Sequence, residues 1–537
     1  MFEDQPERAL ETCPSAETEA DDPSHLQVTL KSHQKHALAW LSWREAQKNP
    51  CGGILVDKTR LGYIQTMISL VLLKKQEAHK ESENPCTLVI CPASNMDQWA
   101  KEVERFCEPG QLKVYLYRGT NREISPEKLA KYDMVFASYN QVRSDLKPLL
   151  KDDKGVKALK DDEASTGSKN QPAFLRESWD RIILDEAHNI KNHIRQTAIT
   201  ICQLKATARW AVTGYPIQNN TMELFSLIRF LRCTPFDEYQ VWKRQVENAG
   251  STKLATLRIL VKSLVLQRTK SSSGNPIASL PKKKKKKKKK MKKEIHSICL
   301  SSEERNIYDQ LVKQYRRTPY NLVNQLRLGQ CCGHLSLLKE LPDQESCETD
   351  GIKLGPGSGQ VKPKTNLYQH SFLSAKIKFL IYGLKKIRAA GPADRPIKTV
   401  LVSKSTKMLD VVASHLKKAK FKYWSIRGDI PPKKRFKAMR KFNNPGGREI
   451  MLLSMKARGR GLKLIRDNHI VFLDMHWNPV VEDQACDWIY RPGQTRSVHK
   501  FVCSNTIEEK VLQRQTEKRQ LANDVLRGSK SKKMKLR

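Results

Sequence analysis

Short apolar runs that end in small or polar clusters recur along this chain, and they restrict its fold more than any other feature. In the first half they are Ile54-Leu55-Val56, "TLVICP" (87–92), "KVYLYRG" (113–119), "MVFASY" (134–139), "RIILDEAH" (181–188) and "WAVTGYP" (210–216). In the second half the pattern returns as "TVLVSKS" (399–405), "EIMLLS" (449–454), "HIVFLDMHW" (469–477) and "HKFVCS" (499–504). Continuous apolar runs of this kind suit strands buried on both faces, the environment of a parallel sheet. Helix-period segments lie between them, as at 301–315 and 374–390. Strand and helix alternating in two successive halves predicts an α/β chain with two doubly wound lobes. Ligands of such sheets bind beyond the carboxyl ends of the strands, and the chemically informative residues cluster there.

Composition sets the expected boundaries. Residues 1–25 are acidic and polar and read as a disordered tail with no signal-peptide apolar region. A first lobe is expected over 26–270, with a charged, Gly/Ser-containing insertion at 144–176. There follow a Lys-rich linker (271–293), a helical middle segment (294–340), a Gly/Pro-rich linker (341–365), a second lobe (366–527) and a basic tail (528–537). No run approaches the ~20 apolar residues of a membrane span. Thirteen cysteines without C-x-x-C spacing indicate neither a disulfide framework nor a zinc site, and a reducing intracellular compartment fits them. Cys331, Cys332 and His334 hint at a metal, but adjacent residues seldom ligate one zinc, and helix packing explains them better.

Charge narrows the partners. Lys and Arg number 98 against 56 acids, a net +42, and eleven of the positives fall in "KKKKKKKKKMKK" (282–293). About +31 remains without that run. Such a field attracts polyanions, with nucleic acid the default partner and a merely solvated basic surface the bland alternative. The lysine run itself suits nuclear localisation or DNA-backbone contact, or else a repeat expansion tolerated in a linker.

The stretch "GGILVDKTRLGYIQTMISL" (52–70) has a strand, a turn at Gly62 and a helix-period continuation, the layout of a phosphate cradle. "ILDEAH" places Asp185 and Glu186 at a strand end. An Asp there can hold Mg²⁺ and a neighbouring Glu can orient or deprotonate water. Four letters alone are weak.

Their neighbours strengthen the case. "LKSHQKHALAWLSWRE" (30–45), "VICPASNMDQW", "DEAHNIKN", "VTGYPIQNN", "LLSMKARGRGLKL" and "DMHWNPVVEDQACDWIYRPGQTRSVHKFVC" follow one another in an order that resembles the Swi/Snf-type branch of superfamily two helicase-like ATPases. The resemblance covers about residues 28–525. It implies two RecA-like lobes, ATP and Mg²⁺ as cofactors, and double-stranded DNA as partner. An RNA polymerase II elongation complex or chromatin is implied as a further partner, in the nucleus. By the same resemblance Gln34 reads adenine, Asp57, Gly62 and Tyr63 belong to the phosphate loop, and Asp185 and Glu186 serve Mg²⁺ and water. Gln484, Arg491 and Gln494 close on the γ-phosphate from the second lobe, Arg491 as an arginine finger.

The chain departs from that family where catalysis is done. Against "D-x-M-G-L-G-K-T", Asp57, Leu61 and Gly62 match, but Arg60 replaces a Gly, Tyr63 the phosphate-binding Lys, and Ile64 the Mg²⁺-binding hydroxyl. Tyr supplies no cation and Ile no ligand. Trp488 stands at the first of two expected arginines, Arg458 and Arg460 replace small residues, and Tyr215 interrupts Thr-Gly-Thr. Two classes of function follow: a DNA-dependent ATPase that moves on duplex DNA and displaces RNA polymerase, or a non-catalytic DNA- or chromatin-binding scaffold. A decaying gene copy is the third reading. Hydrolysis is expected to be lost or strongly impaired.

Overall fold

The computed structural model describes residues 10–57, 61–79, 86–119, 126–146, 174, 179–268, 292–316, 322–338, 365–391, 397–444, 446–455, 457, 464, 467–489 and 497–527. They form two compact units, one built from residues 1–285 and 518–537, the other from 286–517. No helix among the described residues is long and apolar enough to cross a membrane.

The first unit holds a seven-stranded parallel sheet in the order β3-β4-β2-β5-β6-β1-β7. Its strands are β1 (Gly52–Asp57), β2 (Thr87–Cys91), β3 (Val114–Tyr117), β4 (Met134–Ser138), β5 (Trp179–Asp185), β6 (Ala206–Val212) and β7 (Val265–Arg268). Successive side chains of a strand point to opposite faces, and the central strands feed two cores accordingly. Ile54, Leu88, Ile90, Ile182 and Leu184 join one, whereas Leu55, Val89, Cys91, Ile183 and Trp210 join the other. Helices Gln196–Gln203 and Met222–Leu231 cover the first core, and Ser32–Glu45, Tyr63–His79 and Met96–Phe106 cover the second. The fold is thus doubly wound α/β, as the uninterrupted apolar runs require.

A buried ion pair locks the second of these layers to the sheet. Arg181 on β5 donates Nε–H (2.5 Å) and Nη2–H (2.7 Å) to the two carboxylate oxygens of Glu45. Trp210 Nε1 donates to Glu45 Oε1 at 2.7 Å. Burial pushes the Glu45 carboxyl up, but the charge and hydrogen bonds of Arg181 overcome it and hold the group below its ordinary range.

The second unit holds a six-stranded parallel sheet, β10-β11-β9-β12-β13-β8. Its strands are β8 (Lys292–Ile298), β9 (Lys398–Ser403), β10 (Tyr423–Ile426), β11 (Ile450–Ser454), β12 (Asp467–Phe472) and β13 (Ser497–Cys503). Again alternate residues divide, Val400, Val402 and Met451 to one core and Leu401, Leu452 and Val471 to the other. A third cluster packs Leu300, Tyr308, Cys331, Cys332 and Leu335 against Cys503 and Ile507. His334 has both ring nitrogens engaged, 2.8 Å from Ser336 Oγ and 2.9 Å from the Phe372 carbonyl. Cys331 and Cys332 pack in this cluster, and His334 spends both nitrogens on protein partners.

Two segments differ from their sequence reading. Within the expected tail, Ala20 N–H donates to the Lys35 carbonyl and Asp22 Oδ1 accepts from Leu30 N–H at 3.1 Å, while Cys13 packs on the core. Residues 10–25 are therefore docked, with Glu19 and Asp22 bonded to Ser32, Leu30 and Lys35 of the following segment. The expected linker 271–293 ends inside β8, which begins at Lys292. Lys282–Lys290, residues 341–364 and the tail 528–537 lie outside the described residues.

Candidate nucleotide site

Asp57 and Asp185 end β1 and β5, two strands separated in the sheet only by β6. The turn after β1 leads into helix Tyr63–His79, so the first residues of that helix stand beside the end of β5. Proximity at the carboxyl edge follows directly from the strand order, and it brings Tyr63 to Asp185.

The contact is direct. Tyr63 Oη donates to Asp185 Oδ1 at 3.0 Å. The other oxygen, Oδ2, accepts from Asn95 Nδ2 at 2.9 Å and from Trp99 Nε1 at 3.0 Å. Tyr139 Oη donates to the Asp185 carbonyl at 3.0 Å. Asp185 is only 1% exposed, so these donors replace the water a carboxylate would otherwise require. Ring packing supports the arrangement, with Tyr63 edge-on to Trp99 at a centroid separation of 6.3 Å. Ile64 is turned into the core beside Ile68 and Met67 and offers no oxygen where a hydroxyl is expected.

Glu186 differs from its neighbour. It adopts a left-handed backbone (φ 55°) that ends the strand and opens the short helix Ala187–Ile190. Its carboxylate remains partly exposed and lies 3.0 Å from His188 Nδ1.

The remaining first-unit residues brace the turn. Arg268 on β7 grips Asp57 through Nε at 2.7 Å and through Nη2, and its Nη1 donates to the His33 carbonyl at 2.9 Å. Gln34 is buried, accepts from Lys31 N–H at 3.0 Å, and donates Nε2–H to the Gly62 carbonyl (3.3 Å) and Gln65 Oε1 (3.0 Å). Gly62 has φ +81°, a backbone that favours glycine, and a Cβ there would sit 2.4 Å from Gln34 Nε2, so the Gln34 amide would have to shift. His33 Nε2 lies 3.1 Å from the Leu61 carbonyl, and burial keeps its imidazole below the ordinary pKa. Farther along the edge, Glu223 accepts from Gln218 N–H (2.6 Å), Asn219 N–H (2.9 Å) and Asn219 Nδ2 (2.7 Å), and pairs with Lys191 at 3.5 Å. That carboxylate ties "NIKN" to "PIQNN".

The structure thus brings Gln34, Asp57, Gly62, Tyr63, Asp185 and Glu186 to one edge of the first unit. In the second unit Gln484 is half-buried on helix Pro479–Ile489. That helix is anchored by Glu482, which accepts from His476 N–H (2.9 Å), Gln515 Nε2 (2.6 Å) and Lys500 Nζ (2.5 Å). Arg491 and Gln494, with Arg458, Arg460 and Lys58–Arg60, lie outside the described residues. Asn95, Trp99, Tyr139 and Arg268 were not singled out by sequence. Asn95 and Trp99 stand in the quoted "ASNMDQW", and only that motif hinted at them.

An ATP–Mg²⁺ site of the expected kind needs a cation at position 63, a hydroxyl at 64 and an aspartate open to the metal shell. The residues present do not fit it. Position 63 is a neutral phenol, position 64 is core, and both oxygens of Asp185 already have protein donors.

Comparison with known proteins places the chain in a family. The SNF2-related domain matches residues 33–347, and the Helicase conserved C-terminal domain matches 376–493. The chain belongs to the SNF2-related family of helicase-like proteins. It is similar to Transcription termination factor 2 of Drosophila melanogaster, 32% identical over 97% of this chain and 59% of that protein. It thus spans less than two thirds of that relative. A SWI/SNF-related matrix-associated actin-dependent regulator of chromatin subfamily A member 3-like 1 protein of Arabidopsis thaliana is 30% identical over 94% of this chain and 72% of its own. Among solved structures, the Sulfolobus solfataricus SWI2/SNF2 ATPase core in complex with dsDNA is 24% identical, covers 94% of each chain and gives a TM-score of 0.40. At that score the likeness adds nothing to the assignment.

If Tyr63 holds Asp185 as described, Tyr63→Phe removes a hydrogen bond to a buried charge and destabilises the first unit by about 1.5–3 kcal/mol. Urea unfolding followed by tryptophan fluorescence measures this, and an unchanged midpoint would show that the bond contributes nothing.

Proposed function

We propose that this chain is a nuclear, duplex-DNA-binding protein of the transcription termination factor 2 type in which ATP hydrolysis is lost or nearly so. The Tyr63–Asp185 hydrogen bond, 3.0 Å long, is the observation that carries the reading. In the family scheme those positions supply a phosphate-binding cation and a Mg²⁺ ligand; here a neutral phenol is tied to the carboxylate. Charge-assisted contacts in such sites contribute a few kcal/mol each in the transition state. Losing the cation, the hydroxyl and a glycine at Arg60 together removes most of the electrostatic stabilisation that phosphoryl transfer relies on. Gln34, Glu186, Gln484, Arg491 and Gln494 keep their family identities.

Duplex DNA as partner is supported by the +42 net charge and by membership of the family. An RNA polymerase II elongation complex or chromatin is the further partner in this proposal, in keeping with the chain's likeness to a transcription termination factor and to a regulator of chromatin. The chain then acts as a non-catalytic scaffold or competitor on sites used by active relatives.

An ATPase assay with and without duplex DNA tests the loss of hydrolysis. Negligible DNA-stimulated turnover is expected, unchanged by Glu186→Gln. Tyr63→Lys alone should not restore it, whereas Arg60→Gly, Tyr63→Lys and Ile64→Thr combined, with or without Trp488→Arg, should, because groups that act as a unit are non-additive. DNA-stimulated turnover in the unmodified protein that disappears in Glu186→Gln would defeat the proposal and point to Lys58 or Arg60 as the phosphate contact.

Binding of duplex DNA should be nearly independent of sequence and should weaken at least about tenfold between roughly 50 and 200 mM salt. Fluorescence anisotropy at several salt concentrations checks this; a flat salt response contradicts phosphate contact.

A further inference from the structure

A row of histidines crosses three adjacent strands of the second sheet. His469 is on β12, His499 on β13 and His296 on the edge strand β8, with Glu294 two residues before His296. Glu294, His469 and His499 lie in the amino halves of their strands and His296 just past the middle of β8, whereas ligands of open α/β sheets bind beyond the carboxyl ends. In the parallel register His499 stands opposite Glu294, and Phe501 opposite His296. Residues two apart share a face, so Glu294 and His296 both reach His499.

The distances are short. His296 Nε2 lies 2.9 Å from His499 Nδ1, and Glu294 Oε2 lies 3.2 Å from His499 Nδ1 and 3.7 Å from His296 Nε2. On its far side His499 Nε2 lies 2.9 Å from His469 Nδ1, the two rings stacked at 5.2 Å. Phe379 and Phe501 pack on His296 at 5.4 and 5.7 Å and fix its ring. Lys292 bonds the other carboxylate oxygen, Glu294 Oε1, at 2.6 Å, which leaves Oε2 turned toward the imidazoles.

We propose that Glu294, His296 and His499 form a binding site for a divalent transition-metal ion of the zinc type, with His469 as the outer partner that orients His499. The donor set is the imidazole and carboxylate mixture that zinc accepts. Tetrahedral coordination at bonds of about 2.0–2.1 Å separates ligand atoms by about 3.3 Å, so the three atoms need move only a few tenths of an ångström. His499 binding through Nδ1 carries its proton on Nε2 and donates it to His469 Nδ1, the usual support for a metal-bound imidazole. The side chains of Glu294 and His296 are 30% and 28% exposed, so an ion can enter from solvent. Two ligands come from β8 and one from β13. The ion would therefore pin the edge strand through which the chain enters the second sheet.

Zinc titration of the tag-free full-length protein against a chelating indicator dye tests the site, with Glu294→Gln and His296→Gln as variants at partly exposed positions. One zinc equivalent is expected in the unmodified protein, weakened about 100-fold or more by either variant and about tenfold by His469→Phe. Added zinc should raise the melting temperature of the unmodified protein but not of the two variants. Co²⁺ in place of zinc should show no thiolate charge-transfer band, which separates this site from the chain's cysteines. Equal zinc binding by all variants, or a thiolate band for the single bound equivalent, would overturn the proposal.

Discussion

Asp185 is a carboxylate buried at the end of a parallel strand, and everything around the candidate site answers to that fact. Leaving such a group unpaired costs several kcal/mol, so the fold must bring donors to it. It does so from three elements: Tyr63 from the helix after β1, and Asn95 and Trp99 from the turn and helix after β2. In a family member with lysine at that place the same carboxylate would face a cation and a metal shell. The substitution of Tyr63 answers the burial problem with a phenol. In the proposed reading stability and catalysis thereby part company, since Tyr63, one of the three side chains that donate to the Asp185 carboxylate, stands where the family scheme has the phosphate-binding lysine.

This separation explains why folding features survive around a site that does not fit its cofactor. Gln34 is held by Lys31, Gly62 and Gln65, and Asp57 by Arg268. Each matches the family motif by identity, yet each also has a structural task that selection for stability alone would keep. Glu223 does the same for the loop at Gln218 and Asn219. Motif identity is therefore a poor guide to retained hydrolysis in this chain, and the positions that differ are more informative than those that match.

The sequence made the central strands legible because burial on both faces demands unbroken apolar runs. It did not reveal β7, β8 and β10, and the reason is physical. All three are edge strands, half-exposed or charged, as in "KKEIHSI". Pairings such as Asp57 with Arg268, 211 residues apart, carry no local signal. The same holds for Glu294, His296, His469 and His499, which no motif links and only strand order assembles. Tyr63, in contrast, is legible in the sequence as a departure from the family motif, although its bond to Asp185 is not.

Calorimetric titration of the full-length protein with Mg-ATP, in the presence and absence of duplex DNA, tests the occupied carboxylate most directly. No saturable heat is expected in either case, and the Arg60→Gly, Tyr63→Lys, Ile64→Thr protein should gain it. Stoichiometric Mg-ATP binding by the unmodified chain, abolished by Asp185→Asn, would contradict a site closed by Tyr63.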